Sequence, residues 1–491
     1  MPEAAPLSEE KRNLLQKYLR GEVGQSSGKS SGITRRSPGD TAPLSLTQQE
    51  LWLRELHVPG IPPLYNECIT LYMKGPLDVA VLEASFTEIV RRHEAWRTTF
   101  ETANGQPVQV IQPASKVILP VLDLRRLGKA EREVEAVRCV AEDARRPFDL
   151  RRGPLLRPTL VKLDYDEHRL FLIAHQIILD GMSAYQIFVS ELAALYKAFS
   201  AGRPSPLPEL PVQCADFACW QRQWLQGEVL AKQVDYWRKQ LPSDLPVLHW
   251  PNDKPRPVDR SFRGAFQPFA LPLPLTGALR ELSRRAGGTL FMTLLAGFAA
   301  LLHSYTSQED IVVGTLSPSG RKRTEVQALL GYFLNPVALR VNFGNHSTFS
   351  ELLLQVRGIL SEAISHDDVP LEFLARELKP NGGPSRSPFF TVAMSLQPPT
   401  PSLDLEWSVT SMDVESGGAS WDLYIAFIDR PGGMIGRAQY NPDLFEGSAI
   451  TAMLADLRTL LEGAALNPEQ RVSELCRLIP SDRRQALTEN P

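Results

Sequence analysis

The most chemically informative stretch of the sequence is a histidine and a glutamine followed by an aspartate–glycine pair, His175-Gln176 and Asp180-Gly181. An imidazole takes and gives protons near neutral pH, whereas a glutamine amide only donates and accepts hydrogen bonds. A carboxylate at 180 can hold a buried cation or close a turn, and a glycine at 181 lets a bulky ligand approach the backbone. The spacing fits either a helix start that stabilises a developing oxyanion or a purely structural strand–helix junction.

The flanking sequence predicts the elements that position these residues. An apolar run at 170–173 predicts a buried strand that ends at His175, and a similar run at 160–163 predicts its hairpin partner. Ser183 and Gln186 have the spacing of a helix capping box, and apolar residues then recur at helical intervals. Backbone N–H groups at such a helix start have no partner within the helix and can face a developing oxyanion.

The composition is that of an ordinary globular protein of two or three domains, with 491 residues, 43% hydrophobic and 22% charged. A net charge of −3 gives no general attraction to nucleic acid or to anionic membranes. The five cysteines are odd in number and lack metal-type spacing, which indicates free thiols and no metal site. With no signal peptide pattern and no apolar run long enough to span a bilayer, the sequence predicts a cytoplasmic protein without membrane contact.

Changes of composition along the chain predict five segments. They are a short helix and flexible linker at 1–43, an N-terminal lobe at 44–215, a hinge at 216–226, a C-terminal lobe at 227–478 and a polar exit linker at 479–491. Helical periodicity and capping residues predict helices at 79–92, 129–146, 227–240 and 289–305.

Six motifs occur in an order and spacing that resemble the condensation domains of nonribosomal peptide synthetases, within the chloramphenicol acetyltransferase-like superfamily. Residues 45–52 are similar to SxAQxxLW, 92–100 to RHExLRTxF, 216–220 to YxDFAxW, 331–336 to GxFVNT, 366–372 to HQDxPFE and 385–388 to SRxP. Each motif alone is a weak signal, whereas the ordered series covers nearly the whole chain.

The resemblance implies an α/β fold of two chloramphenicol acetyltransferase-like lobes in a V-shaped pseudo-dimer, with a tunnel between them and the active site at Gly181. It implies an amide-forming acyltransferase that needs no metal and no bound cofactor. Donor and acceptor carrier proteins would enter from opposite faces, each presenting its substrate on a phosphopantetheine arm. The chain would then be a monomeric excised or stand-alone domain, and whether its donor is peptidyl or comes from a hybrid polyketide line stays open.

One position departs from the family pattern. The central motif of the family is HHxxxDG, and Gln176 stands where the family has the second histidine, which serves as base or as positioner of the amine. A glutamine cannot take a proton from an ammonium group, and strand alternation turns His175 toward the core. Three explanations stay open: a substitution made to inactivate the domain, slow condensation through positioning alone, or a catalytically inactive platform that recruits carrier proteins.

Further residues receive roles from the resemblance. Arg97 is the predicted buried partner of Asp180, with a simple Asx turn as the alternative. Ser183 either contacts the substrate thioester or caps the helix, and Asn335 either hydrogen-bonds substrate or fixes a turn. The basic run at 321–323 would meet an acidic carrier protein or a pantetheine phosphate, or else form a solvated loop.

Overall fold

The computed structural model of the chain describes residues 32–37, 41–57, 62–249, 254–257, 259–344, 348–378, 388–397, 399–401, 403, 405–410 and 414–480. The predicted N-terminal helix, residues 385–387 of the SRxP-like motif and most of the predicted exit linker lie outside these ranges.

The helices and strands alternate along the chain, as in a mixed α/β protein. The α-helices are α1 Leu46–His57, α2 Val79–Arg92, α3 Lys129–Ala144, α4 Val189–Ser200, α5 Cys214–Trp224, α6 Gly227–Gln240, α7 Leu273–Arg285, α8 Leu290–Thr306, α9 Phe349–Ile364, α10 Leu371–Leu378, α11 Gly447–Leu466 and α12 Val472–Cys476. The strands are β1 Ala42–Pro43, β2 Asn66–Lys74, β3 Thr98–Ala103, β4 Gln106–Ile111, β5 Val121–Asp123, β6 Leu156–Lys162, β7 Glu167–His175, β8 Ala265–Pro272, β9 Asp310–Ser317, β10 Asn335–Asn342, β11 Val392–Gln397, β12 Trp407–Thr410, β13 Leu423–Arg430 and β14 Gly433–Tyr440.

The first lobe is built on a five-stranded sheet in the order β12-β2-β7-β6-β5. Its central strand β7 is apolar and buried along most of its length and forms the predicted hairpin with β6, with Leu156 opposite Ala174. A smaller sheet, β1-β4-β3, lies beside it, and α2 packs against α4. The sequence prediction of this hairpin and of a helix at 79–92 is confirmed.

The second lobe is built on a six-stranded sheet in the order β10-β9-β11-β13-β14-β8. Helix α8 is its central core helix and is capped by Thr289, whose Oγ1 accepts the Met292 backbone N–H at 3.4 Å. Helices α7, α9 and α11 pack around α8.

In the part of the chain that the structure describes, no single helix has the length and apolar composition needed to cross a membrane. The pair α7 and α8 meets both criteria only when taken together, and it bends by 104° at the break.

The two lobes are not consecutive in the chain, because the second half contributes to the first lobe. Strand β12 pairs antiparallel with β2, and Phe333 packs in the core of the first lobe. The predicted hinge at 216–226 is mostly helix α5, with Phe217 in the first core and Leu225 in the second. The chain therefore passes from the first hydrophobic core to the second where the hinge was predicted, and the connecting segment is a helix.

Part of the predicted N-terminal linker belongs to the globular body. Ile33 is buried, and the Arg36 guanidinium pairs with Glu94 at 2.7 Å and with Asp216 at 3.1 Å. Residues 42 and 43 form β1 against β4. The prediction of a flexible linker is wrong for these residues, because an apolar side chain and a charge pair fix them to the surface of the first lobe.

Candidate functional site

A cavity of about 580 Å³ lies between the two lobes, and both contribute to its walls. Gln176 and Gly181 line it from the first lobe, and Ser395, Tyr424 and Arg437 line it from the second. The cavity reaches Gly181, where the sequence predicted a tunnel.

The backbone between β7 and the following helix turns sharply and is held by its own hydrogen bonds. A short 3₁₀ turn, Gln176–Ile178, follows the strand, and Leu179 returns to an extended conformation. Asp180 then starts the helical backbone, since its Oδ1 accepts the Ser183 N–H at 2.8 Å and its carbonyl accepts the Ala184 N–H at 2.9 Å. Asp180 is therefore the cap of this helix, and the predicted capping role of Ser183 is wrong.

His175 lies on the side of the turn away from the cavity. It is 2% exposed, its Nδ1 accepts the Ile177 backbone N–H at 3.1 Å, and its Nε2 lies 3.3 Å from Glu55 Oε1. The rings of Tyr65 and Phe148 pack edge-on against it. Its two ring nitrogens are thus engaged within the protein, and the structure places His175 as a support of the turn and not as a group facing substrate.

Gln176 points into the cavity and contacts a carboxylate that the sequence analysis did not single out. Its Nε2 donates to Glu67 Oε1 at 3.1 Å, and its backbone N–H donates to the Tyr65 carbonyl at 2.7 Å. Glu67 lies on β2 and also lines the cavity. Burial raises the pKa of the Glu67 carboxyl, and the nearby charge of Arg437 opposes that rise.

Asp180 has a different cationic partner from the one predicted. Arg321 Nε donates to Asp180 Oδ2 at 3.1 Å and Arg321 Nη2 donates to Asp180 Oδ1 at 2.8 Å, with both side chains fully buried. Arg97 instead donates to the Gln112 carbonyl and lies 3.9 Å from Glu94. The prediction of an Arg97–Asp180 pair is wrong, because Arg97 ends a 3₁₀ turn that packs against β4.

The basic run at 321–323 is not a free surface. Arg321 is 1% exposed, Lys322 bonds to Asp367, and the Arg323 guanidinium lies 4.8 Å from the centre of the Trp220 ring. The expectation that Arg321 meets a pantetheine phosphate or a carrier protein is therefore wrong.

Ser183 is fully buried and its hydroxyl is saturated. Its Oγ donates to the Gly331 carbonyl at 2.9 Å, accepts the Gly331 N–H at 3.0 Å and accepts from Arg321 Nη2 at 2.7 Å. A hydroxyl has one donor and two acceptor positions, and all are used. The prediction that Ser183 contacts substrate is wrong, since the side chain joins the site turn to the segment before β10.

Asn335 has a structural position as well. It is 1% exposed, and its Nδ2 donates to the carbonyls of Asp367 and Val369 at 2.7 and 2.8 Å. The prediction of substrate binding is wrong and the alternative, that Asn335 fixes a turn, describes what the side chain does.

Gly181 lies at the cavity wall, where a side chain would enter the passage and displace a neighbouring side chain. A Cβ at this position would come within 2.7 Å of Gln397 Oε1, an atom contributed by the second lobe. The absence of a side chain therefore keeps the passage between the lobes open beside Gln176.

A second group of charged residues at the cavity joins the lobes and was also missed by the sequence analysis. Arg54 of α1 pairs with Glu372 of α10, and Glu50 Oε1 accepts the Glu372 backbone N–H at 3.0 Å. Burial, and then the neighbouring Glu372 carboxylate, raise the pKa of Glu50 to about 8. A glutamate and an arginine one helical turn apart are the only signal of this group that the sequence offers.

The described residues contain no group of three or more His, Cys, Asp or Glu side chains placed to hold a metal ion. The cavity wall includes side chains that can form hydrogen bonds or accept protons. Two of them, Gln176 and Glu67, are in direct contact.

Comparisons with known proteins identify similar kinds of molecule. The family model described as Condensation domain matches residues 39–488. A linear gramicidin synthase of Brevibacillus parabrevis is 41% identical over 461 residues, which is 93% of this chain and 9% of that protein. Chondramide synthase of Chondromyces crocatus is 37% identical over 452 residues, 92% of this chain and 12% of that protein. The chain thus spans only a small part of the length of these relatives.

Solved structures give the same picture of the fold. The X-domain from teicoplanin biosynthesis is similar with a TM-score of 0.78 and 28% identity over 90% of this chain and 99% of that chain. That X-domain has also been solved in complex with OxyB. The first condensation domain of the calcium-dependent antibiotic synthetase, bound to a substrate analogue, has a TM-score of 0.77 at 23% identity over 89% of this chain and 99% of that chain, a likeness of fold alone.

Proposed function

This chain belongs to the condensation domain family, and we propose that it joins an acyl thioester on one carrier protein to the amine of an amino acid on another, forming an amide bond. The observation that carries the proposal is the cavity between the lobes, whose wall is formed by Gln176, by the glycine at 181 and by the start of the following helix. Both substrates would arrive on phosphopantetheine arms, and the reaction would take place in the cytoplasm.

The reaction needs an orienting group and an environment for developing charge. The amine nitrogen attacks the thioester carbonyl, the C–N bond forms and the C–S bond breaks, and the departing sulfur takes up the proton lost by nitrogen. The helix that begins at Asp180 presents its positive end to the cavity at Gly181, which favours negative charge on the carbonyl oxygen. Gln176 uses its amide nitrogen on Glu67, so that its amide oxygen is the atom that can accept a hydrogen bond from the amine.

A second function is favoured by one specific observation, the glutamine where this family carries its second histidine. A domain that lost proton transfer but kept both lobes would act as a binding platform for carrier proteins or other partners. The similar X-domain from teicoplanin biosynthesis, solved in complex with OxyB, is an example of a domain of this fold that binds another protein.

The deciding experiment is a single-turnover reaction between a loaded donor carrier protein and a loaded acceptor carrier protein, followed by intact-protein mass spectrometry. Amide formation predicts an acceptor carrier protein heavier by the acyl group and a donor carrying a free thiol. Binding of both carrier proteins without any mass transfer would contradict the enzymatic function and support the platform. A parallel reaction with a hydroxyacyl acceptor, which lacks the amine, controls for hydrolysis and exchange.

A further inference from the structure

We propose that Glu67 is the proton acceptor of this site and that Gln176 orients the Glu67 carboxylate toward the incoming amine. This inference rests on the amide-forming function proposed above. Glu67 would then supply the proton transfer that the glutamine at 176 cannot.

The backbone fixes both residues at the same place on the cavity wall. Strands β2 and β7 pair antiparallel with Glu67 opposite Ala174, and the ladder continues to the hydrogen bond from the Gln176 N–H to the Tyr65 carbonyl. Because side chains alternate along each strand, Glu67 and Gln176 emerge on the cavity side while His175 turns inward. The distance from Gln176 Nε2 to Glu67 Oε1 is 3.1 Å, and it is fixed by paired strands and not by a loop.

The carboxylate of Glu67 has no ion-pair partner among the residues that the structure describes, unlike Asp180 and Glu372. Asp180 is held by Arg321 and Glu372 by Arg54, whereas the described residues place no cationic nitrogen within 4.0 Å of Glu67. A carboxylate that only holds the fold together would be expected to have such a partner, since burying an unpaired charge is costly. Glu67 therefore faces the cavity ready for a cation that arrives with substrate, and an acceptor ammonium group is one.

The surroundings of Glu67 favour proton acceptance. Among the described residues, the titratable and charged groups that interact with it across the cavity include Arg437 of β14 and Tyr424 of β13, whose hydroxyl is hydrogen-bonded to Ser395 Oγ at 2.6 Å. Burial raises the pKa of Glu67, which brings the group closer to the pH at which it must exchange a proton. The raised pKa also lets the carboxyl keep the proton until the departing sulfur needs it.

Every proton of the step is accounted for by Glu67, the departing sulfur and solvent. The acceptor ammonium gives one proton to Glu67 Oε2, while Oε1 stays bonded to Gln176, and the neutral amine attacks the thioester. As the C–S bond breaks, a proton returns from the Glu67 carboxyl to the thiolate. The second proton of the original ammonium nitrogen is released to solvent from the tetrahedral intermediate, leaving the amide N–H.

The test compares single-turnover rates of the wild type, Glu67→Gln and Glu67→Asp across pH 5.5–9. Glu67→Gln has the same shape but cannot accept a proton, so the rate should fall by about 10²-fold or more. The part of the wild-type pH profile that reports deprotonation of the carboxyl should disappear from this variant, which leaves only the part that reports deprotonation of the substrate ammonium. Glu67→Asp should retain the pH dependence at a reduced rate. Glu101→Gln, on the exposed part of β3, removes a carboxylate that does not line the cavity and should leave rate and pH profile unchanged.

The outcomes separate this inference from the proposed function. A wild-type rate that Glu67→Gln leaves unchanged, with the same pH profile, would overturn the role of Glu67 while leaving amide formation intact. No transfer by the wild type at any pH would overturn both. A loss of rate in Glu67→Gln with a pH profile of unchanged shape would also overturn proton acceptance, because every titrating group in the profile would then be another one.

A binding measurement gives a readout that does not need turnover. An aminoacyl-pantetheine should bind the wild type more tightly than its hydroxyacyl analogue, because only the ammonium meets the Glu67 carboxylate. Glu67→Gln should reduce this preference severalfold, and an unchanged preference would contradict the contact between Glu67 and the amine.

Discussion

Asp180 and Arg321 form a buried two-point ion pair between distant segments of the chain, with Nε–Oδ2 and Nη2–Oδ1 distances of 3.1 and 2.8 Å. Asp180 belongs to the turn that carries Gln176 and Gly181, whereas Arg321 follows β9 of the second lobe. The same carboxylate also accepts the Phe333 backbone N–H at 3.2 Å. The Asp180 side chain thus closes the site turn, fixes the helix start and binds both to the segment between β9 and β10.

Asp180→Ala should therefore act mainly on folding. Removing one member of a fully buried pair leaves the Arg321 guanidinium unpaired, at a cost of about 3–5 kcal/mol. Thermal melts should show a clearly lower transition for this variant. Asp123→Ala, which breaks a pair with Arg125 on the exposed surface, serves as the control and should leave the transition nearly unchanged. Equal melting temperatures for wild type and Asp180→Ala would contradict the role of the pair.

The local elements of this fold could be predicted from the sequence, because their signals lie within short windows. The helices at 79–92 and 227–240 have the predicted bounds, and the hairpin of β6 and β7 follows two apolar runs around a polar turn. Hydrophobic periodicity and capping residues act over a few turns of chain, so no tertiary information is needed.

The partners of the site residues could not be predicted, since tertiary packing brings them together from distant parts of the chain. Arg321 lies 141 residues from Asp180 and belongs to a basic run that is typical of a solvated loop. The motif that contains Arg97 resembles the family, but the order of motifs gives no distance between side chains. Glu67 is one carboxylate in an apolar strand, and only the register of β2 with β7 reveals that it meets Gln176.

Gly181→Val should close the passage between the lobes without unfolding them. A Cβ here already comes within 2.7 Å of Gln397 Oε1, the end of a flexible side chain that can move aside. We expect binding of an acyl-pantetheine analogue to fall severalfold or more, measured by calorimetry, while the melting temperature changes little. Gly277→Val on α7, where a Cβ would meet no atom within 4 Å, is the matched control for adding the same side chain. Undiminished binding would place the substrate path elsewhere.

Glu50 should make the stability of the domain decrease with rising pH. Burial and Glu372 raise the pKa of its carboxyl from the ordinary value of about 4.3 to about 8, so the folded state keeps a proton that the unfolded chain releases. The resulting stabilisation is fully present below the unfolded pKa and is lost as the pH rises through the folded one. Glu50→Gln keeps the acceptor for the Glu372 N–H and cannot ionise, so its melting temperature relative to wild type should increase by several degrees between pH 5 and 9.

The control for this pH series is Glu101→Gln, which removes one carboxylate from the exposed part of β3. An offset between Glu50→Gln and wild type that stays constant from pH 5 to 9 would show that Glu50 does not titrate in this window in the folded protein.

Gln176→His restores the residue type that the family carries at this position and should raise the rate of amide formation. The two side chains are similar in volume, and the histidine ring would occupy the place from which Gln176 Nε2 reaches Glu67 Oε1 at 3.1 Å. A carboxylate beside an imidazole stabilises the protonated ring, which makes it a better acceptor for the amine proton. A well-placed general base contributes roughly 10²–10⁴-fold, equivalent to about 3–5 kcal/mol of barrier.

We expect the gain in Gln176→His to lie at the lower end of that range, because Glu67 already accepts protons in the wild type. The double variant Gln176→His/Glu67→Gln tests this directly. Because the histidine can act as the base, Glu67→Gln should lower the rate less in this background than it does beside the native Gln176. Single-turnover transfer between loaded carrier proteins, followed by intact-protein mass spectrometry, measures all four rates. A Glu67→Gln loss that is equally large in the wild-type and the Gln176→His backgrounds would mean that the two positions do not share one proton transfer. Carrier binding without transfer in every form would instead assign the domain to recruitment.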